Sequence, residues 1–469
     1  MGWASEAERF LVRPYLIFAA AGLSLFMVSI DGTAVAVALP YFIRDFDTNV
    51  VWAGWTLSVY LIAVTCVMPL MGTLSDTFGR KRLYIASLLL FTLSSGACGL
   101  APNIATLVVC RFLQGLGAAS FLPTAAGIVS DHFPKSRNRA IGLFSSIFSI
   151  GAIVGPNLAG WIVAHYSWRY IFYINLPIGL GLLLLVPLLL ETPPSTATAT
   201  RIDVTGAALF CGATLLLMVS LNRLAESLAP ATWPLTGLAF ALSLGGLALF
   251  LRHERAVANP LLDVALFRSR PFFAANLYNL LLGAGIFGIV SFIPLYATVV
   301  HDLSTLLSSM ILTSRSLGVI CTSTVTSFCL TRWGYRGPML WGVGTLAAGT
   351  LLLGDVHFLV ARALGIHARP TELLAAGVVV LGLGAGIASP ASNNACIDLM
   401  PSHVATITGL RGMFRLVGGA LGISLGTIIL HVSDAPAAGF RNAFVMAGLL
   451  LLLAVPLVFF LPRGKRSGG

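Results

Sequence analysis

The feature that most constrains this chain is its regular succession of apolar stretches, each long enough to cross a bilayer. A spanning helix needs roughly 20 predominantly apolar residues. Fourteen such runs can be counted, beginning near residues 14, 51, 83, 104, 139, 169, 203, 233, 272, 305, 338, 372, 405 and 442. In hydrocarbon every backbone N–H and C=O must be satisfied within the chain, so runs of this length select α-helices. Only 10% of the 469 residues are charged, against roughly 25% in a soluble protein. The chain is read as an all-α polytopic membrane protein whose solvent is lipid.

The distribution of bases orients the helices. An even number of spans puts both termini on one side. Eighteen Lys and Arg fall in loops on the terminal side, among them Arg80, Lys81, Arg82, Arg137, Arg252 and Arg336, whereas six fall on the other. Positive charge accumulates in the cytoplasm, so both termini are expected there. The net charge of +11 thus orients spans and meets anionic headgroups, and a nucleic-acid partner is excluded. The seven cysteines and eight histidines show no metal-ligand spacing, and neither a metal nor a cofactor is expected. No G-x-x-x-x-G-K-[ST] occurs, so ATP is not the energy source. The first apolar run is too long for a cleaved signal and has no small-residue cleavage pattern behind it. Nothing points to an enzyme.

Three blocks follow: residues 1–190 with six spans, 191–271 with a Pro/Thr-rich linker and two further spans, and 272–469 with six more. Leu330-Thr-Arg-Trp-Gly-Tyr-Arg336 echoes Ser75-Asp-Thr-Phe-Gly-Arg-Lys81, as two parallel repeats of a six-helix unit would.

The polar residues inside the spans are few. Asp31 is the one acid deep in any span. A charge there costs at least ~2.5–3.5 kcal/mol, so it faces a partner or a cavity. It is either a structural hydrogen-bonding acid or a protonation site. Arg111 lies roughly 10 Å into the fourth span and Asp31 roughly 13 Å below the same surface, by a 1.5 Å rise per residue. Acid and base therefore share a level, with Gln114 one turn deeper. The pair is either a static lock between helices or a relay in which Arg111 tunes Asp31. Arg315 and Arg415 sit roughly 16 Å into their spans by the same rise, and Arg411 lies one turn from Arg415 nearer the cytoplasm. Midplane arginines either bond backbone carbonyls and hydroxyls or serve function. With no acid at comparable depth in that half, they make its interior positive, which favours neutral or weakly anionic amphipathic solutes.

Several stretches resemble a known family. Gly72-Thr-Leu-Ser-Asp-Thr-Phe-Gly-Arg-Lys-Arg-Leu83, including Asp76, Gly79, Arg80 and Lys81, resembles the loop signature between the second and third helices of the major facilitator superfamily. Arg111-Phe-Leu-Gln-Gly-Leu-Gly-Ala-Ala119 is similar to that superfamily's fourth-helix motif. Gly151-Ala-Ile-Val-Gly-Pro-Asn-Leu-Ala-Gly160, with Gly155 and Pro156, resembles its antiporter motif, with Ala159 where a glycine is usual. Ile30-Asp-Gly-Thr-Ala-Val-Ala-Val-Ala-Leu-Pro40 resembles the first-helix signature of fourteen-helix drug–proton antiporters of the EmrB/QacA-like branch, departing at Ala36 where asparagine is usual. Ser167-Trp-Arg-Tyr-Ile-Phe-Tyr-Ile-Asn-Leu-Pro-Ile-Gly179 resembles the sixth-helix stretch of the same branch and is read as architecture.

The resemblance implies a major facilitator fold, with two six-helix bundles plus two inserted helices, in the plasma membrane. It implies alternating access, with protons driving export of amphipathic small molecules. Asp31 would carry the proton, Arg111 and Gln114 would regulate it, and the 72–83 loop would lock a gate. Import, or lipid flipping, on the same scaffold stays open. So does a periplasmic adaptor protein as partner.

Overall fold

Backbone groups in lipid must find partners within their own segment, and among the described residues the chain does this with helices alone. The structure is a computed structural model, and it describes residues 6–48, 50–134, 136–191, 203–226, 233–257, 260, 266, 268–303, 305–356 and 370–461. In chain order the first helices are α1 (Glu6–Asp45), α2 (Val50–Phe78), α3 (Arg80–Gly99), α4 (Ile104–Ala118), α5 (Phe121–His132), α6 (Arg137–His165), α7 (Tyr170–Tyr173) and α8 (Asn175–Leu189). Next come α9 (Val204–Glu226), α10 (Trp233–Glu254), α11 (Arg270–Val290), α12 (Ile293–Val299), α13 (Thr305–Trp333) and α14 (Arg336–Leu351), the last running into a single π turn over Leu352–Val356. The chain then forms α15 (Pro370–Leu399), α16 (Val404–Val432), α17 (Pro436–Leu452) and α18 (Val455–Val458).

A helix stands at each place where a span was expected, and twelve among the described residues are long and apolar enough to cross a membrane. Of the other two, α9 has an apolar stretch described over Thr205–Leu221, and α13 interrupts its apolar residues with Ser, Thr and Arg315. The protein is a multi-pass membrane protein. Most of the Pro/Thr linker, residues 192–202, lies outside the described residues, as do 227–232, 258–259, 261–265 and 267.

The chain divides into two compact units, Met1–Ala207 with Met400–Leu410, and Ala208–Leu399 with Arg411–Gly469. In the first, a buried cluster joins Phe42 of α1, Leu107 of α4 and Phe172 of α7 around Trp168. The Phe42 and Trp168 rings meet edge to face with centroids 4.8 Å apart, the arrangement their quadrupoles favour. The Trp168 Nε1–H donates to Asp45 Oδ2 at 2.9 Å, which ties the end of α1 to the start of the sixth span. Arg169 lies over the Trp168 ring at 4.4 Å and donates to Gly99 O and Ala101 O at 3.0 and 2.9 Å. Those carbonyls end α3, where four acceptors lack helical partners and a cation is favoured.

The weak sequence echo between residues 75–81 and 330–336 is repeated contact by contact. Gly79 and Gly334 both take positive φ, 94° and 69°, a conformation that a Cβ disfavours. The next residue in each case reaches an acid at the C-terminal end of another helix, α5 in the first unit and α15 in the second. Arg80 ion-pairs with Asp131, and the Tyr335 hydroxyl donates to Asp398 Oδ2 at 2.6 Å. The residue after that donates to a backbone carbonyl at the end of the unit's last span: Lys81 Nζ to Pro187 O at 2.8 Å, and Arg336 to Leu461 O at 2.9 and 2.7 Å. These bases are staples between helix ends, not only headgroup anchors.

Candidate functional site

Four helices of the first unit converge on Asp31. It sits about four turns before the C-terminal end of α1 and is completely buried, as are Arg111 and Gln114 of α4. Arg111 Nη1 donates to Asp31 Oδ2 at 2.6 Å and to Gln114 Oε1 at 2.6 Å. Gln114 Nε2 donates to Asp31 Oδ1 at 3.0 Å, and Asn175 Nδ2 of α8 reaches the same oxygen at 3.2 Å. Ser95 Oγ of α3 accepts from both amides, at 3.1 and 3.0 Å. Arg111 Nε donates to Thr56 O of α2 at 3.1 Å, and its guanidinium lies 4.1 Å from the centroid of the Tyr60 ring. The expectation that acid and base share a level is met directly.

The arrangement has a definite chemical polarity. Asp31 accepts from three donors, on Arg111, Gln114 and Asn175, so its present surroundings suit an ionised carboxylate. Oδ1, which already accepts from both Gln114 and Asn175, could take a proton only by displacing one of these donors. Two polar atoms beside it are buried without a hydrogen-bond partner, Arg111 Nη2 and Tyr60 Oη.

The glycine motif on α6 packs on the turn of α1 that carries Asp31. A Cβ on Gly151 would lie 2.6 Å from the Ser29 Cβ, and one on Gly155 would strike Thr33 Oγ1 and come within 2.9 Å of Ile30 O. Ser29 Oγ donates to Phe148 O at 2.5 Å across the same seam. Gly160 meets nothing within 4 Å, so close approach is limited to the first two glycines. Pro156 lies inside α6, where it removes a backbone donor.

In the gating loop, Gly72 is a second close approach. A Cβ there would lie 2.5 Å from Ala405 O and 2.7 Å from the Thr406 Cα, residues that belong to the same compact unit. Asp76 is helical, one turn beyond Gly72, and its side chain lies outside the described residues.

The second unit holds Arg315 on α13 and Arg411 and Arg415 on α16. Arg411 is buried and donates through Nη1 to Asn279 Oδ1 of α11 at 3.4 Å. The same oxygen accepts from Ser392 Oγ of α15 at 2.9 Å. Gly418 and Gly422 let α16 approach α11: Cβ atoms there would strike Leu280 O and Ala284 O. None of Arg315, Arg411 and Arg415 has a carboxylate within 4.0 Å among the described residues. The structure does not gather these arginines around an acid as it gathers the first unit around Asp31.

Sequence reasoning missed Asn175, Ser95, Thr56 and Tyr60 in the first unit, and Asn279 and Ser392 in the second. Asn175 and Asn279 had a readable signal, a carboxamide inside an apolar span. Thr56 contributes only its carbonyl, which no side-chain pattern announces. Of the cysteines, Cys211 and Cys329 are partly enclosed and Cys321 is exposed. No group of residues that could hold a metal ion occurs among the described residues.

Comparison with known proteins places the chain among transporters. The sequence profile described as Major Facilitator Superfamily matches residues 21–365 and 306–469. The multidrug resistance protein B homolog of Mycobacterium tuberculosis is 31% identical over 419 residues, 87% of this chain and 74% of that protein. The tetracenomycin C resistance and export protein of Streptomyces glaucescens is 29% identical over 473 residues, 97% and 85% of the two chains. Among solved structures, the human organic anion transporter MFSD10 (TETRAN) superimposes with a TM-score of 0.66 at 16% identity, covering 96% of this chain and 99% of that one.

Proposed function

The chain belongs to the major facilitator superfamily, and from that premise we propose that it is a proton-coupled antiporter exporting amphipathic small molecules by alternating access. The observation that carries this reading is the buried Asp31–Arg111–Gln114–Asn175 cluster. Asp31 is the one buried acid among the described residues of the first unit, inside a shell that a proton on Oδ1 must rearrange. A group that cannot be protonated without moving its neighbours couples protonation to conformation. In this reading Asp31 carries the proton, and Arg111, Gln114 and Asn175 form the shell that moves. Gly151, Gly155 and Pro156 give α6 its seam against the Asp31 turn, so displacement there is transmitted to α6.

The proposal extends to the finer architecture. We assign the chain to the fourteen-helix EmrB/QacA-like branch, as six-helix blocks at 1–190 and 272–469 joined through 191–271. Both termini are cytoplasmic in the plasma membrane. The export direction is supported by the names of relatives called multidrug resistance and resistance-and-export proteins. The helix 1 and Gly155-Pro156 motifs agree with it. Asp76 is proposed to stabilise the closed cytoplasmic gate beside the first turn of α16, whose N-terminus carries roughly half a positive charge. Unchanged reactivity of cytoplasmic cysteine probes in Asp76→Asn would refute that gate role.

The test is transport in proteoliposomes with an imposed pH gradient. Outward accumulation of an amphipathic substrate against its own gradient, abolished by a protonophore, is the expected result. Solute moving with the protons would identify an importer, and a leak indifferent to the gradient would refute coupling.

A further inference from the structure

The arginines of the two units are treated in opposite ways. Arg111 meets a carboxylate, an amide oxygen, a backbone carbonyl and an aromatic face. Arg411 makes one long bond of 3.4 Å, to Asn279, and its Nε is buried without a partner. Arg415 follows one turn later on α16, and its Nε is likewise enclosed and unpartnered. Arg315 of α13 has neither a hydrogen bond nor an ion pair among the described residues, and both it and Arg411 lie within coulombic reach of Arg415. Three like charges are thus held together inside membrane spans.

A lone arginine at the centre of a span costs at least ~2.5–3.5 kcal/mol, and like charges close together add repulsion. Replacing such a group by a hydrophobe is usually favourable unless it has an occupant. None of the three has a carboxylate within 4.0 Å among the described residues, and Asp398 is engaged by Tyr335. Asn279 is already saturated, since its Oδ1 accepts from both Ser392 and Arg411 and its amide donates to Ala275 O. The vacant valences are N–H donors on planar guanidinium groups. Such groups recognise two-oxygen anions with a pair of parallel hydrogen bonds.

We propose that the second unit carries an anion site centred on Arg411 and Arg415, with Arg315 adding charge, that takes the carboxylate of an amphipathic solute. This deepens the exporter reading by naming the class of its substrate, and rests on it for the transport role. The binding itself does not depend on proton coupling. Arg411 is oriented by Asn279, which is held in turn by Ser392. An anionic lipid headgroup presents the same charged oxygens as a carboxylate, so the experiment separates the two sources.

The probe is tritiated decanoate, bound to the full-length protein in phosphatidylcholine nanodiscs without a pH gradient, with empty nanodiscs subtracted. Saturable binding is expected, displaced by unlabelled decanoate but neither by methyl decanoate nor by decyltrimethylammonium. Arg411→Gln and Arg415→Gln should each weaken it by about tenfold or more, the loss of a charge-assisted hydrogen bond. Arg415→Lys, which keeps the charge but not the fork, should fall between. Each Gln substitution removes an uncompensated charge, so melting temperatures of these two variants should hold or rise, and a fall would overturn the claim that these charges lack partners. Displacement of decanoate by phosphatidylglycerol would identify a lipid headgroup as the occupant of the same site. Indifference to that lipid would identify the solute. No saturable binding, equal affinity in the Gln variants, or competition by the quaternary ammonium would overturn the proposal. Asp31→Asn should bind decanoate normally. If that variant still transports uphill while decanoate binding stands, the coupling reading fails and this one survives; the reverse pattern sinks only the anion site.

Discussion

Asp31→Asn isolates the proton from the shape of its carrier. The substitution is isosteric, but the shell around Asp31 consists of donors on both oxygens: Arg111 Nη1 on one, and Gln114 and Asn175 on the other. An asparagine can face only one set with its carbonyl, so its amide must point at a donor on the other. Removing one partner of a buried ion pair costs about 3–5 kcal/mol. The low end applies here, because Gln114 Oε1 and Thr56 O continue to accept from Arg111. We therefore expect a loss of about 3 kcal/mol in unfolding free energy. Arg111→Gln should cost at least as much, since it strands the carboxylate. The double variant should recover about 2 kcal/mol relative to the sum, as contacting residues do.

Unfolding measured by steric trapping in bicelles, on all four members of the cycle, supplies these numbers. Proteoliposome transport supplies the functional half. Asp31→Asn should still equilibrate substrate down its gradient, yet accumulate none when a pH gradient is imposed. Additivity within about 0.5 kcal/mol would refute the coupled pair. Uphill transport by Asp31→Asn would refute its role as carrier even if the cycle behaved as described.

Gly155→Val should force α6 away from the Asp31 turn, because a side chain there meets Thr33 and Ile30 O. Overpacking of this kind costs about 1–3 kcal/mol, and we expect uphill transport to fall further than stability; Gly160→Val, which faces open space, is the control that should leave both unchanged. Gly79→Ala should cost about 1–3 kcal/mol, because φ is 94° with ψ 134°, and Gly334→Asn should be milder, since asparagine tolerates a φ near 69°. Equal effects in thermal melts would count against the backbone argument. Tyr335→Phe removes a 2.6 Å bond to Asp398 and should lower stability by about 1.5–3 kcal/mol, with no change in substrate affinity.

How far the sequence could be read depended on what kind of residue did the work. Spans were legible because bilayer thickness fixes their length, and the boundaries of α3 and α4 lie close to the expected starts. The same criterion blurs at α9 and α13, where polar residues thin the apolar signal. Asp31 and Arg111 were legible as a pair because each is costly alone, and helical rise gives depth without a structure. Rotation about the helix axis is not fixed by depth. That is why Arg315, Arg411 and Arg415 could be placed near the midplane but not joined to Asn279 or Ser392. Arg169 shows the same limit: nothing in the sequence pairs it with the carbonyls at the end of α3 that accept from it.

The two interiors differ in whether their charge can change, and that difference has an electrical consequence. In the proposed cycle the charge of the first interior changes by one unit when Asp31 takes up the coupled proton. Arginine keeps its proton in proteins, so the second unit stays positive throughout a cycle. Suppose one proton enters for each carboxylate that leaves, as the two proposals together require. Positive charge then moves inward and negative charge outward, so each turnover shifts two charges in the same direction. The membrane potential contributes about 2.3 kcal/mol per charge per 100 mV, which makes it a driving force of about twice that size per exchange. Export of decanoate should therefore respond to potential more steeply than export of a neutral amphiphile, which shifts only the charge of the proton. Clamping the potential to zero with valinomycin and equal potassium, at constant pH gradient, should lower the limiting decanoate accumulation by roughly the square of the factor seen for the neutral compound. Equal dependence on potential for both would mean that the solute crosses without its charge, or with a second proton.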